Sequence, residues 1–277
     1  MGDGRNVAFL GGGKMGEALV SGLIRSGARK PDELMVTCRR EERAREISER
    51  HGVGTTVSNP EAVAWANTLV LTVKPQDMET LLGQIADHVR AEQLVISFAA
   101  GIRTSFIERR LRDDAPVIRV MSNVPVLVDE AMSVVSPGSR AEDKHLAVAE
   151  ELLGAVGRVI RLPEAQQDAV TATSGSGPAY FFLLAEAMIE ACILLGLSRD
   201  VASDLIIQTM LGSAKMLRDT GKHPVELREM VTSPGGTTIA AIRVLEEAGV
   251  RAAFLNAIDA ARHRSAELAR GEEPEDR

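Results

Sequence analysis

The stretch Asn6-Val-Ala-Phe-Leu-Gly-Gly-Gly-Lys-Met-Gly-Glu-Ala-Leu-Val-Ser-Gly-Leu-Ile-Arg-Ser-Gly27 decides the fold. Its first five residues are an apolar run suited to a buried strand. They pass directly into Gly11-x-Gly13-x-x-Gly16, which opens a helical pattern over residues 13–26. Each glycine answers a separate need. Gly11 makes the tight turn, Gly13 lets backbone approach a pyrophosphate, and Gly16 lets helix and strand pack closely. The helix start at Lys14 and Met15 offers free N–H groups and a positive dipole end to phosphate oxygens. The glycine spacing alone is a weak signal. A strand before it, a helix after it and a second strand beyond make it a dinucleotide site.

Working outward, short apolar runs at residues 34–38, 68–73, 94–98, 117–120, 131–135 and 158–161 alternate with helical patterns at 41–50, 78–89, 104–112 and 140–153. Strands alternating with helices of this length imply βαβ units, hence a Rossmann-type, mostly parallel sheet with helices on both faces over residues 1–162. The second strand ends in Arg39-Arg40 rather than in an acid. An acid there accepts the ribose 2′-hydroxyl of NAD, whereas an arginine pairs with the 2′-phosphate of NADP. Arg39, with Arg40 or Arg43 beside it, therefore points to NADPH, NADH being the other option. Three further segments fall just past strand ends, where open parallel sheets bind ligands: Thr72–Gln76, Ser97–Gly101 and Met121–Pro125. Any one of them also reads as an ordinary βα loop.

Composition narrows the partners. Over 277 residues, 45% apolar and 26% charged content is ordinary globular usage, and 3% aromatics leaves aliphatics and Ala to build the core. A net charge of −7 argues against nucleic acid or an anionic membrane surface as the main partner. No apolar run reaches the roughly 18 residues of a membrane span. The opening MGDGRNVAFLGGG lacks the pattern of a secretory leader, and Cys38 and Cys192 stand far apart without a CxxC motif, so reduced thiols and a cytoplasmic location are expected. The five histidines show no metal-ligand spacing, and no metal is expected.

After Leu162-Pro163 the strand signals stop, and residues 163–277 read as an all-helical domain with segments at 179–195, 199–220, 224–230, 237–247 and 252–268. The first two are apolar over more than one face, which calls for burial on all sides. A helical half this small meets that need most economically in a homodimer or higher homo-oligomer. Two motifs stand out. Thr173-Ser-Gly-Ser-Gly-Pro-Ala-Tyr180 opens the longest apolar helix, with Ser176 placed to cap it and Pro178 in its first turn. Ser233-Pro-Gly-Gly-Thr-Thr238 opens another, with backbone N–H groups around Gly235 and Gly236 and the hydroxyls of Thr237 and Thr238 making a cradle for a carboxylate or phosphate.

Alcohol oxidation needs a general base. β-Hydroxyacid dehydrogenases carry Lys and, four residues on, Asn in the helix after their second glycine motif, but Phe181 and Ala185 stand at those positions. Imine reduction asks less, because an iminium arrives already protonated and needs hydride plus one orienting hydrogen bond. FLGGGKMGEAL, TVKPQ, SFAAG, MSNVP, SGSGPAY and SPGGTT, in this order, resemble the pyrroline-5-carboxylate reductases over nearly the whole chain. The resemblance implies hydride transfer from NAD(P)H to the C=N carbon of 1-pyrroline-5-carboxylate, giving L-proline, in dimers or larger assemblies whose active sites use SPGGTT from the partner chain. It implies that Ser233, Gly236 and Thr237 hold the substrate carboxylate and that Thr238 hydrogen-bonds the ring nitrogen. Asn59, Thr72, Lys74, Pro75, Ala99 and Asn123 then lie along the cofactor, Lys74 being alternatively a structural cation at a strand end. Val124 departs from the family pattern, which has Thr there. Competing readings are a related imine reductase or β-hydroxyacid dehydrogenase on the same scaffold, and a non-catalytic NADP-sensing regulator, which has no use for a second anion cradle.

Overall fold

The structure is a computed structural model that describes residues 5–111 and 114–270. The chain forms two compact units. One runs to Ser176 and regains the chain from Ala261; the other is Gly177–Ala260.

The first unit is built on eight strands: β1 (Val7–Leu10), β2 (Leu34–Thr37), β3 (Gly54–Thr56), β4 (Thr68–Leu71), β5 (Leu94–Ser97), β6 (Val117–Met121), β7 (Ala131–Pro137) and β8 (Gly157–Arg161). Their order is β3-β2-β1-β4-β5-β6-β7-β8, and all neighbours are parallel except β6 and β7. Strand order reverses between β1 and β4, which pair Val7 with Thr68 through Leu10 with Leu71. A crevice therefore opens at their carboxyl ends, where such sheets take ligands. Side chains alternate between faces along each strand. Val7 and Phe9 join one core with helices α1 (Lys14–Arg25) and α2 (Glu41–His51), while Ala8 and Leu10 join the other with α3 (Asn59–Trp65), α4 (Met78–Ile85) and α5 (Thr104–Glu108). Leu146, Ala149, Leu152 and Leu153 of α6 (Asp143–Gly154) close the first of these layers.

Among the strands and α-helices before Leu162, two were not expected from periodicity. β3 is three residues long on the sheet edge, and α3 is a seven-residue helix capped by Ser58, whose Oγ accepts the Glu61 N–H at 3.3 Å. The segment after Leu162 also differs from expectation. Residues to Ser176 pack with the sheet, because the wholly buried Gln167 donates to Ser136 Oγ at 2.7 Å and to the Val134 carbonyl at 3.3 Å.

Ser176 does not cap a helix. Helix α7 (Gln167–Val170) runs through a π-helical turn, Thr171–Gly175, toward α8 (Gly177–Leu194), and Ser176 itself has helical backbone angles. Pro178, four residues beyond Ser174, has no N–H to offer the Ser174 carbonyl. That carbonyl instead accepts Asn123 Nδ2 at 3.0 Å.

The second unit is helical: α8, α9 (Arg199–Thr220), α10 (Pro224–Met230), α11 (Thr237–Glu247) and the first turns of α12 (Val250–Arg270). α8 packs on α9, yet the consecutive side chains Phe181, Phe182, Leu183 and Leu184 stay 61%, 65%, 66% and 41% exposed. The last turns of α12 belong to the first unit, where Ser265 Oγ donates to Asp168 at 2.8 Å. By length and composition the helical run Glu164–Leu194, mean hydropathy 1.5, is long and apolar enough to cross a membrane, a feature the count of consecutive apolar residues passed over.

Candidate active site

The backbone polar groups of the glycine loop divide into a set that is held by the fold and a set that is free among the described residues. Gly11 sits at φ +121°, a conformation open to glycine, and a Cβ there would meet the Thr72–Val73 backbone at 3.0 Å. Its N–H donates to Thr37 Oγ1 (3.2 Å), and the Gly12 N–H donates to the Thr37 carbonyl (2.7 Å). The carbonyls are held in turn: Gly11 by Thr72 Oγ1 at 2.8 Å, Gly12 by Arg43 Nε at 3.2 Å, and Gly13 by the Glu17 N–H at 3.0 Å. Gly13 is the N-cap of α1 and supplies no side chain to the helix end. The N–H groups of Gly13, Lys14, Met15 and Gly16 are thus left without a partner among the described residues. Four adjacent free donors at a helix N-terminus form an anion site. Thr72 serves it as the clasp that fixes the loop.

The loop borders a cleft of about 710 Å³ that gathers Gly11, Gly13, Arg39, Arg40, Asn59, Thr72 and Lys74 of the expected cofactor residues. Asn59 Nδ2 donates to Gln84 Oε1 at 2.7 Å across it. Arg43, which also borders the cleft, is engaged with Glu17, Glu46 and the Gly12 carbonyl. Arg40 and Lys74 form no ion pair among the described residues, and Arg39 pairs with Asp77 at 2.5 Å. Cys38 lies on the same wall, its thiol pushed up by burial.

The remaining expected residues stand elsewhere. Pro75 is exposed and begins a 3-10 turn, Pro75–Asp77, beside the cleft. Ala99 is 2% exposed, with its N–H directed to Ser97 Oγ at 3.4 Å. The Asn123 amide is engaged from both sides, donating to Ser174 and accepting the Met132 N–H at 3.0 Å. Val124 presents its methyls to solvent, 56% exposed. Periodicity and motif reading did not single out Asp77, Thr80 and Gln84 on the far wall; each is a polar residue in or next to an amphipathic helix, with nothing local to mark it.

Glu17 anchors this arrangement. Its carboxylate, 17% exposed, receives Arg43, Arg50 Nη1 at 2.5 Å and His51 Nε2 at 3.1 Å. Burial pushes its pKa up, but Arg43, His51 and Arg50 together hold it below the usual carboxylate range. A group depressed in the folded state contributes stability above its unfolded pKa and loses it as pH falls through the folded one. Glu17→Gln is expected to cost about 2 kcal/mol near neutrality, the range of charge-assisted bonds in a half-buried setting. In thermal melts the gap to wild type should close as the medium is acidified. A gap constant with pH would remove Glu17 as its source.

The Ser233–Thr238 motif lies in the second unit. Gly235 takes φ +69°, and Gly236, the N-cap of α11, directs its N–H to the Ser233 carbonyl at 3.1 Å, so it is not a free donor as expected. The first helical bond runs from the Ala240 N–H to the Gly236 carbonyl, which leaves the N–H groups of Thr237, Thr238 and Ile239 unpartnered among the described residues. Ser233, Gly235 and Thr237 are exposed, and Gly236 and Thr238 half-buried. Phe181, at the position where a dehydrogenase lysine would stand, is an exposed residue of α8.

The comparisons with known proteins cover both units. Residues 164–268 match a family described as pyrroline-5-carboxylate reductase dimerisation, and residues 6–101 match NADP oxidoreductase coenzyme F420-dependent. The chain is 42% identical over 266 residues to the pyrroline-5-carboxylate reductase of Methanosarcina acetivorans, covering 96% of this chain and 98% of that one. The chain belongs to the pyrroline-5-carboxylate reductase family. Among solved structures, the family member from Coxiella burnetii matches with a TM-score of 0.90 at 37% identity, covering 98% of this chain and all (100%) of that one. The Plasmodium falciparum pyrroline carboxylate reductase, solved with NADP bound, matches at 0.86 and 26% identity over 96% and 98%. The helical half is thus the family's dimerisation region, and the exposed apolar run of α8 falls inside it.

Proposed function

We propose that this protein reduces 1-pyrroline-5-carboxylate to L-proline with NAD(P)H. The observation that carries the reading is the row of four N–H groups from Gly13 to Gly16, free among the described residues, at the end of a glycine loop that borders a cleft also lined by Arg39 and Arg40, in a chain of this family. The residues present suit a dinucleotide. A Cβ on Gly13 would meet nothing within 4 Å, which leaves room for a pyrophosphate against the backbone, and Lys74 and Arg40 stand ready for further negative charge. When bound, the dinucleotide supplies the hydride; the chain's own task is to bind, orient and exclude water.

On this reading Ser233, Gly235 and Thr237 receive the substrate carboxylate at the start of α11, where the Thr237, Thr238 and Ile239 N–H groups, free among the described residues, favour an anion, and Gly236, its N–H held by the Ser233 carbonyl, shapes the turn beneath it. Thr238 Oγ1 hydrogen-bonds the ring nitrogen. That atom is protonated before reduction, so orientation suffices and no titrating base is required. The exposed apolar side chains of α8 support a homo-oligomer, in which each active site combines the cofactor cleft of one chain with SPGGTT of its partner. Biosynthetic reduction and two free cysteines, Cys38 and Cys192, fit the cytoplasm.

The test is NADPH oxidation followed by absorbance with synthetic pyrroline-5-carboxylate. Thr238→Ala should lower kcat by on the order of 10²-fold, the loss of one oriented hydrogen bond at the reacting centre, while NADPH binding stays intact. No turnover by the wild type with either reduced cofactor refutes the function. Lost NADPH binding in the variant refutes the role of Thr238.

A further inference from the structure

We propose that Asp77 sets the choice between NADPH and NADH, by competing with the 2′-phosphate for Arg39 and by accepting the 2′-hydroxyl when the phosphate is absent. The inference rests on the reading that Arg39 receives that phosphate. Arg39 follows β2, and Asp77 ends the Pro75–Asp77 turn after β4, so the two reach the same cleft from separate walls and meet at 2.5 Å. Among the described residues that border the cleft, Asp77 is the one acid, against four cations: Arg39, Arg40, Arg43 and Lys74.

Those cations are not equivalent. Arg43 is tied to Glu17, Glu46 and the Gly12 carbonyl, whereas Arg40 and Lys74 have no carboxylate partner among the described residues. Among the described residues, Arg39 is the one of these cations paired to an acid that itself faces the cleft. Dinucleotide folds take the 2′-hydroxyl on an acid and the 2′-phosphate on an arginine, each from the end of the second strand. Here the arginine comes from that strand and the acid from the neighbouring connection, joined to one another. A 2′-phosphate must draw Arg39 away from Asp77 and then lie beside its carboxylate. A 2′-hydroxyl leaves the pair whole and gives the carboxylate a donor. The Arg39 side chain is 76% exposed and that of Asp77 29%, so the exchange is open to solvent and partly screened.

Asp77→Asn keeps the shape and removes the charge. Asp77 precedes α4 without a side-chain capping bond, so the variant folds as the wild type does. In calorimetric titrations at low salt it should bind NADPH about fivefold tighter and NADH about threefold weaker, the scale of a partly screened charge pair. The NADPH gain should shrink at high salt. Arg39→Ala separates the two layers of the argument. Weakened NADPH binding in Arg39→Ala, with the NADPH/NADH ratio of Asp77→Asn equal to wild type or both cofactors weakened together, overturns the role of Asp77 alone. Unchanged NADPH binding in Arg39→Ala removes the phosphate reading, and the proposal with it.

Discussion

Gly13→Ala should cost this protein its tight NADPH binding and leave its stability almost untouched, whereas Gly16→Ala should cost both. The two glycines sit three residues apart in one turn, yet their surroundings differ. Gly13 has ordinary angles, φ −80° and ψ −175°, and a Cβ there would point into open space bordering the cleft. Alanine is a poorer N-cap than glycine by some tenths of a kcal/mol and gains a similar amount from the stiffer unfolded chain, so the folding terms offset to within about 1 kcal/mol. The methyl then stands where the pyrophosphate must approach. An affinity loss on the order of 100-fold, or about 2.8 kcal/mol, is expected.

Gly16 is buried within α1, and its Cβ would press on the Gly11 carbonyl oxygen and lie 2.9 Å from Thr72 Oγ1. Neither neighbour can yield cheaply, because the first is backbone and the second is the hydroxyl that clasps the loop. Overpacking of this kind costs about 1–3 kcal/mol, more than the helix propensity that alanine returns. Urea melts followed through Trp65, the single tryptophan, measure stability, and NADPH titration measures the site. If Gly13→Ala binds NADPH as the wild type does, the pyrophosphate does not lie over the loop.

The glycine loop could be read in advance because its signal is local: a strand, three glycines at fixed spacing and a helix, all within Asn6–Gly27. The sheet was legible for a similar reason, since strands buried on both faces are continuous apolar runs. β3 escaped because Gly54-Thr-Thr56 is a short, half-exposed edge strand with no run to detect. α3 did carry a signal, Ser58-Asn-Pro-Glu61, with a capping serine and an early proline. Asn123 shows the opposite limit. Its place after a strand end suggests a ligand contact, but the Ser174 carbonyl, 51 positions away and left open by Pro178, and the Met132 N–H, nine positions on, engage its amide, and no sequence spacing marks either partner. The Arg39–Asp77 pair is equally non-local, 38 positions apart, and no periodicity links such residues.

Leu183→Glu should convert the protein to monomers that still bind NADPH and no longer turn over. Positions 181 to 184 are successive, and 100° steps carry them around the whole circumference of α8, yet each of these apolar side chains is more than a third exposed in the single chain. Apolar exposure on this scale marks a surface that another protein covers. A glutamate buried there without a partner costs about 3 kcal/mol, and a two-fold interface counts it in both protomers, so Kd should rise on the order of 10⁴-fold. The single chain should fold unharmed, because Leu183 is 66% exposed in it. Light scattering then reports the mass, titration reports the cofactor cleft and absorbance reports turnover. The cleft lies wholly within the first unit, so its affinity should survive dissociation. Loss of turnover with intact NADPH binding is what an active site completed by the partner's SPGGTT requires. A fully active monomer rejects that sharing, and an unchanged dimer moves the interface off this stretch of α8.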